Sequence, residues 1–426
     1  MYSRYEDIPK LSLPEGQEVY VSDSTIRDGM QMPGIVMTTE HKLRIYRALH
    51  EIGVEKLELF AYHERDRMAI REMQDLGYEK PEITGWARAN PADIDIILGV
   101  DGIEETGILM SVSDVHIKTK MGLSNRQEAE EKYLSALQYA VDHGLRTRAH
   151  LEDMTRADNS GFVFPLVRKI VEIDPECIIR VCDTVGYGVP FEWVGEPYGI
   201  PYLIRGVREA GARHVETHCH DDFGMAFINS VVGYWYGADW SSVTFLGMGE
   251  RAGNAELEKL LLFLNQRLGI DKYNLKPLNP LARYVQRELG IRIPRNKAVV
   301  GENIFAHESG IHTAGVLKNP FNYEPYPPEV LGVERKLFVG STSGADVIAH
   351  KVEEILQKEL GVSIKVNKRD KRIEAITREI QRLYNEEKRR SCISDDEMKE
   401  YVKKYYLVEA LIHEDGGEDD QSGTFE

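Results

Sequence analysis

The sequence predicts an α/β protein: a (β/α)₈ TIM barrel followed by a smaller, mostly helical C-terminal subdomain. Three observations lead there. Short β-branched runs alternate eight times with amphipathic helical stretches between residues 18 and 268. The links between them are short, which suits parallel strands joined by crossover helices. Polar residues gather at or just after the ends of the runs, at 23–28, 148–152, 183–184, 218–222 and 250–254. A closed barrel brings those ends to one mouth, where barrel enzymes keep their chemistry. A doubly wound open sheet is the alternative on alternation alone, but it would leave the first and eighth strand ends far apart.

The expected strands are 18–22, 56–60, 83–87, 107–110, 146–151, 178–182, 213–219 and 243–246. Helical spacing covers Thr39–Ile52, 127–143, 162–173, 202–210, 226–236 and 256–268, with Thr39 as the first N-cap and Gly53 closing that helix. Residues 270–345 are loop-rich and carry seven prolines, at 277, 280, 294, 320, 325, 327 and 328. Helical periodicity returns over 346–412, where Ser394 and Glu397 predict a capping box. The organisation is thus an N-terminal extension (1–17), a barrel (18–269), a linker and post-barrel segment (270–345), a helical subdomain (346–412) and a disordered acidic tail (413–426).

With 53 Lys and Arg against 70 Asp and Glu, the net charge is −17. That balance repels phosphate backbones and anionic lipid, so neither nucleic acid nor a membrane is expected as a partner. Four cysteines (Cys177, Cys182, Cys219, Cys392) show neither paired zinc spacing nor a disulfide framework. Charges and prolines occupy the place of a signal peptide's apolar core, and no apolar run nears the roughly 18 residues of a membrane span. The expectation is a cytoplasmic, reduced protein. An anionic substrate would need a local positive centre, such as a metal ion or arginines.

Three motifs supply such a centre. DSTIRDGMQ, Asp23 to Gln31, ends the first strand; there Asp28 can ligate a cation and Arg27 can stabilise an oxyanion, although a structural Arg–Asp pair reads equally from the motif alone. HCHDD, His218 to Asp222, places two imidazoles on one strand face beside carboxylates, a common ligand set for a divalent ion with open positions. GMGERAGN, Gly247 to Asn254, lacks dinucleotide-fingerprint spacing; Asn254 either offers its carbonyl oxygen to a metal or bonds its own loop.

Together these motifs resemble the superfamily of metal-dependent Claisen-condensing and lyase barrels that includes 2-isopropylmalate, homocitrate and citramalate synthases and hydroxymethylglutaryl-CoA lyase. The family pattern reads approximately D-T-T-L-R-D/E-G-E-Q, H-x-H-N-D and G-x-G-E-R-x-G-N. A fourth stretch, GENIFAHESGIHTAGVLKNPFNYEP from Gly301, resembles the post-barrel segment of the synthases, which the lyases lack. The resemblance spans residues 18 to 350. It implies metal ligands Asp28, His218 and His220, with Asn254 as a ligand or near neighbour, and Arg27 on the reacting carbonyl oxygen. It further implies His312 as the residue assisting deprotonation of acetyl-CoA, often from a neighbouring subunit, with His307 a second candidate and Tyr323 and Glu152 also in the active site. A homodimer is therefore expected. The implied reaction joins the enolate of acetyl-CoA to a metal-chelated 2-oxo acid and releases CoA. The ion is Mn²⁺, Mg²⁺, Co²⁺ or Zn²⁺, among which the ligands do not choose.

Around Arg148 the chain reads RAHLEDMTRAD, similar to the R-F-S-x-E-D of homocitrate synthases, whose arginine binds the distal carboxylate of 2-oxoglutarate. Arg148 therefore favours a dicarboxylic acid, with His150, Thr184 and Gln31 as further substrate contacts. His150 replaces the serine of that pattern and shortens the pocket. The wider string, with IRVCDTVGYGVP, looks closer to Re-type citrate synthases, which use oxaloacetate. Homocitrate synthase follows, then isopropylmalate or citramalate synthase. Two positions depart from the family: Met30 replaces its glutamate, and Asp221 replaces its asparagine. No regulatory domain of the isopropylmalate synthase kind is expected after the helical subdomain.

Overall fold

Eight parallel strands follow one another around a closed barrel in chain order: β1 (Tyr20–Asp23), β2 (Lys56–Leu59), β3 (Glu82–Arg88), β4 (Glu105–Ser111), β5 (Arg146–Glu152), β6 (Ile178–Asp183), β7 (His214–Cys219) and β8 (Trp240–Val243). β8 closes the circle on β1, with Tyr20 opposite Trp240 and Asp23 opposite Val243, which rules out the open sheet. The computed structural model describes residues 3–361 and 363–407, so the tail expected at 413–426 lies outside the described residues. Among the described residues, no helix is long and apolar enough to cross a membrane.

Helices α1 (Thr39–Ile52), α2 (Glu64–Gln74), α3 (Pro91–Leu98), α4 (Arg126–Asp142), α5 (Phe164–Ile173), α6 (Ile200–Glu209), α7 (Ala226–Trp235) and α8 (Leu257–Leu268) alternate with the strands. In α1 the cap is Thr38 rather than Thr39: the Thr38 hydroxyl accepts from the His41 N–H at 3.3 Å, and the His41 ring accepts from the Thr38 N–H. Gly53 ends the helix as expected, with φ of 92°. Ile45, Leu49 and Ile52 of α1 are buried, as are Val21, Leu57, Ile108, Ala149, Ile179 and Val215 on the strands. That apolar layer lies between wall and helices.

β8 is the one strand the sequence reading misplaces, by three residues. The run at 243–246 looks like a strand because it is apolar, but Phe245–Gly247 is a turn with Leu246 at φ 59°. The true strand shows Ser241 and Ser242 where a buried strand ordinarily shows aliphatics.

Alternate residues of each strand point into the barrel, and here they are charged. Lys56 and Glu58 of β2, Glu105 of β4, Arg148 of β5, Arg180 of β6 and Glu216 of β7 are all buried. Arg148 Nη2 donates to Glu105 Oε1 at 2.7 Å, Lys56 also pairs with Glu105, and Arg180 bridges Glu216 and Glu58. Arg27 completes the column from above, its Nε 2.7 Å from Glu58 Oε1. Buried ions tolerate this only because each meets its counter-charge; removing one partner typically costs about 3–5 kcal/mol.

The barrel unit reaches Ile293 and takes in 298–300, beyond the expected boundary at 269. Its last helix, α9 (Leu278–Glu288), follows a segment in which Lys272 and Tyr273 bond to Glu55. The second unit takes most of the chain from Gly301 onward. It contains α10 (Gly310–Lys318), α11 (Ala345–Leu360), α12 (Lys371–Asn385) and α13 (Asp395–Val402), with a small parallel ladder between Ala306–His307 and Lys336–Leu337. Its core comprises Val347, Val352, Ile373, Ile376 and Met398, among others. Ser394 and Glu397 form the expected capping box on α13.

Two sets of buried carboxyls pull stability in opposite directions as pH changes. Burial works against the ionised forms of Glu58, Glu105 and Glu216, but the surrounding guanidinium and ammonium groups outweigh it. They hold Glu216 at about 2 and Glu58 and Glu105 below their ordinary 4.5. That stabilisation is complete above the unfolded value and is lost as pH falls through the folded ones. Asp23 behaves oppositely: burial lifts it to about 7 despite the bonds from Thr25, so its contribution is complete below 3.8 and lost as pH rises through 7. Relative to Asp23→Asn, the parent's thermal stability in chelator is expected to fall as pH rises from about 4 to 7, with the difference between the two level above that. An Asp23→Asn curve that declines as steeply as the parent's would refute this account.

Candidate active site

A cavity of about 350 Å³ opens at the C-terminal ends of the strands. Asp28 reaches it from the turn after β1, where its N–H donates to Ser24 O at 2.7 Å. His218, on β7, and His220, just beyond that strand, reach it from the far wall. One atom from each lies within 4.8 Å of the others. His218 Nε2 is 3.3 Å and His220 Nε2 is 3.8 Å from Asp28 Oδ2. The Ser242 hydroxyl, 3.2 Å from His218 Nδ1, fixes that ring so that Nε2 faces Asp28.

The electrostatics prepare these groups for a cation. Burial opposes the Asp28 carboxylate, but Arg27 and the two imidazoles prevail and hold the carboxyl below its ordinary value. Burial lowers both imidazoles, His220 to about 4. At neutral pH the set is one carboxylate and two neutral rings, the protonation that metal binding requires. His220 Nδ1 and Asn254 Oδ1 are buried without a hydrogen-bond partner, and the residues fit a divalent ion.

Asn254 is held beside the set by its loop. Its Nδ2 donates to Asp28 Oδ2 at 2.9 Å, and its backbone bridges to His220. The glycines of the motif make this possible: a Cβ on Gly249 would stand 1.9 Å from Asn254 Oδ1, and one on Gly253, at φ 85°, would stand 1.8 Å from Gly247 O.

Arg27, Gln31, His150, Glu152 and Thr184 also line the cavity. Arg27 lies between Glu58 and Asp28, with Nη1 3.5 Å from Asp28 Oδ2. Thr184 accepts from the Asp153 N–H at 2.8 Å. Burial would raise Glu152, but bonds from His116, Lys120 and Ser111 hold it at about 2, a carboxylate at any working pH. Burial, followed by the charge of Arg180, lowers His150 to about 3, so its ring is neutral. Gly107, on the neighbouring strand, makes room for that ring: a Cβ there would stand 2.3 Å from His150 Nε2.

Arg148 is placed differently from the sequence expectation. It is 1% exposed, does not line the cavity, and commits Nη2 to Glu105. Strand alternation correctly turns it inward, but two residues deeper than His150. The cavity instead carries Arg180, together with Arg88, Lys120 and Arg251; none was assigned a role from the sequence, although Arg251 lies in GMGERAGN and Arg180 in IRVCDTVGYGVP. Lys120 is engaged by Glu152, Arg88 by Asp93 and Arg251 by Asp222. Arg180 had one available signal, a lone charge in the otherwise apolar run IIRVC.

Neither of the two family departures is among the residues that line the cavity. Asp221 accepts from the Ala226 N–H at the start of α7, and Met30 borders a small void with Ile26, Leu59 and Met73. His312 and Tyr323 belong to the second unit, where their rings meet edge-on with centroids 4.5 Å apart. Gly315 allows this, since a Cβ there would strike the Tyr323 ring. His307 is engaged with Glu324, which also binds Arg335. At the opposite end of the barrel, a cavity of about 680 Å³ has its bases, Lys56, Arg146 and His214, paired with carboxylates.

Fold and mouth together define a (β/α)₈ barrel with a buried Asp28–His218–His220 set that could hold a metal ion at the C-terminal ends of its strands. The chain belongs to the HMGL-like family, which it matches over residues 18–285, and residues 299–388 match the homocitrate synthase post-HMGL domain-like family. It is 35% identical to the citrate (Re)-synthase of Clostridium kluyveri, over 94% of this chain and 92% of that one. It is also 35% identical to a homocitrate synthase of Methanopyrus kandleri, over 93% and 94%, and 37% identical to the 2-isopropylmalate synthase of Sulfurisphaera tokodaii, over 79% and 86%. Among solved structures, the Bacillus subtilis HMG-CoA lyase shares the fold, with a TM-score of 0.53 at 23% identity over 66% of this chain and 97% of that one.

Replacing His218 or His220 by Ala should abolish metal retention, read as metal per chain by elemental analysis, with the far-UV circular dichroism of the barrel unchanged. Ser242→Ala should keep the ligands but weaken metal affinity about tenfold. Full metal retention in His218→Ala would rule out this ligand set.

Proposed function

We propose that the chain catalyses the Claisen condensation of acetyl-CoA with a dicarboxylic 2-oxo acid, followed by hydrolysis of the product thioester by water to release CoA, with oxaloacetate (giving citrate) ahead of 2-oxoglutarate (giving homocitrate). The observation that carries this reading is the buried Asp28–His218–His220 set beside Arg27, in a chain aligned with a citrate (Re)-synthase over 94% of its length. A homocitrate synthase matched over a similar share is its neighbour in chemistry. The match of 299–388 to a homocitrate synthase post-barrel domain favours a synthase over a lyase.

Asp28, His218 and His220 would hold the ion, Mn²⁺, Mg²⁺, Co²⁺ or Zn²⁺, with Asn254 adjacent. When bound, the ion polarises the ketone of a chelating 2-oxo acid. Arg27, braced by Glu58, presents its remaining N–H groups to the ketone oxygen as that oxygen gains charge. Thr184, Gln31 and His150 contact the acid. Glu152, ionised and held by Lys120 and His116, accepts hydrogen bonds at the cavity wall. His312, exposed on α10 beside Tyr323, removes the acetyl proton, supplied by a second copy of the chain. The enzyme is then a cytoplasmic homodimer.

Assayed for free CoA with each metal, the enzyme should turn over oxaloacetate fastest among oxaloacetate, 2-oxoglutarate, 2-oxoisovalerate and pyruvate. Activity with none of the four would end the synthase reading, and a preference for 2-oxoisovalerate or pyruvate would shift it to isopropylmalate or citramalate synthesis. Light scattering should give a dimer, and mixing inactive His312→Ala with inactive His218→Ala should restore part of the turnover. A fully active monomer would refute the shared site.

A further inference from the structure

We propose that Arg180 binds the distal carboxylate of the 2-oxo acid and so sets the preference for a dicarboxylic substrate; this rests on the condensation reading above. Arg180 stands in the middle of β6, 1% exposed, and lines the mouth cavity. Two of its three nitrogens are occupied: Nε donates to Glu216 Oε2 at 2.5 Å and Nη1 to Glu58 Oε1 at 3.1 Å. Nη2 is buried with no partner. Buried guanidinium N–H groups almost always find an acceptor, and a donor left over on a cavity-lining residue is open to a ligand's acceptor.

The other bases cannot take this role as well. Arg148 also carries buried donors without a hydrogen-bond partner, Nε and Nη1, but it is not among the residues that line the cavity, and its Nη2 is held by Glu105. Arg27 is engaged by Glu58 next to Asp28, at the end where the ketone would chelate. Arg88 and Arg251 are turned to Asp93 and Asp222, and their side chains are 65% and 40% exposed, so water meets their spare donors.

The test compares the metal-loaded enzyme with its Arg180→Gln and Arg180→Lys variants. Two quantities are read: kcat/KM for the better dicarboxylic acid (oxaloacetate or 2-oxoglutarate) against pyruvate, and the calorimetric Kd of each acid without acetyl-CoA. In Arg180→Gln the dicarboxylate-to-pyruvate ratio should fall about 30-fold or more, mainly through KM, with a parallel loss in Kd. Arg180→Lys keeps a charge opposite Glu58 and Glu216 and carries the test if the glutamine variant does not fold; it too should lose preference. A ratio within twofold of the parent's in the folded variants overturns the proposal and leaves Arg180 a brace of the barrel. A parent enzyme that uses pyruvate as well as either dicarboxylate overturns it too, with condensation intact. If no acid releases CoA, the condensation reading fails, while the calorimetric arm still decides for or against Arg180.

Discussion

Glu58 holds the interior of this barrel together. Its carboxylate receives Arg27 from the turn after β1 and Arg180 from β6, and it lies 3.3 Å from the His150 ring on β5. Each of those side chains lines the mouth, and none of them would be fixed without a common acceptor beneath. A single buried carboxylate therefore converts three flexible or titratable groups into a defined floor. The cost is a barrel centre made of ions rather than aliphatic layers, which holds only while every partner is present.

The ligand set depends on the same floor indirectly. Arg27 is anchored by Glu58 and in turn steadies the Asp28 carboxylate, while Ser242 and the Gly247–Asn254 loop orient the remaining members. Side chains drawn from the first, seventh and eighth strand ends meet only because the sheet is closed. Fold and chemistry are one constraint here, in that opening the barrel between β8 and β1 would separate Asp28 from both histidines.

Much of this was legible in the sequence. Seven strands stand within two or three residues of their expected bounds, since their alternation is regular, and Asp28, His218 and His220 converge as their motifs imply. What the sequence could not convey was depth. Periodicity turns Arg148 and His150 to the same side but does not say which one the cavity reaches, and only the structure puts Arg148 below and Arg180 at the surface of the floor. β8 was misread because its middle residues are serines while the turn after it is apolar. Glu58 and Ser242 escaped notice for a related reason: neither belongs to a motif, and both act by holding another residue still.

The space left by Gly107 has a further consequence. His150 stands where a side chain on β4 would otherwise be, so the two positions set the depth of the pocket jointly across neighbouring strands. Their order of change is constrained. A smaller residue at 150 is open to the chain at once and would lengthen the pocket, whereas anything larger than glycine at 107 collides until the imidazole has gone. Divergence toward a longer or shorter acid thus has one permitted first step, and the reverse route is closed by a single missing carbon.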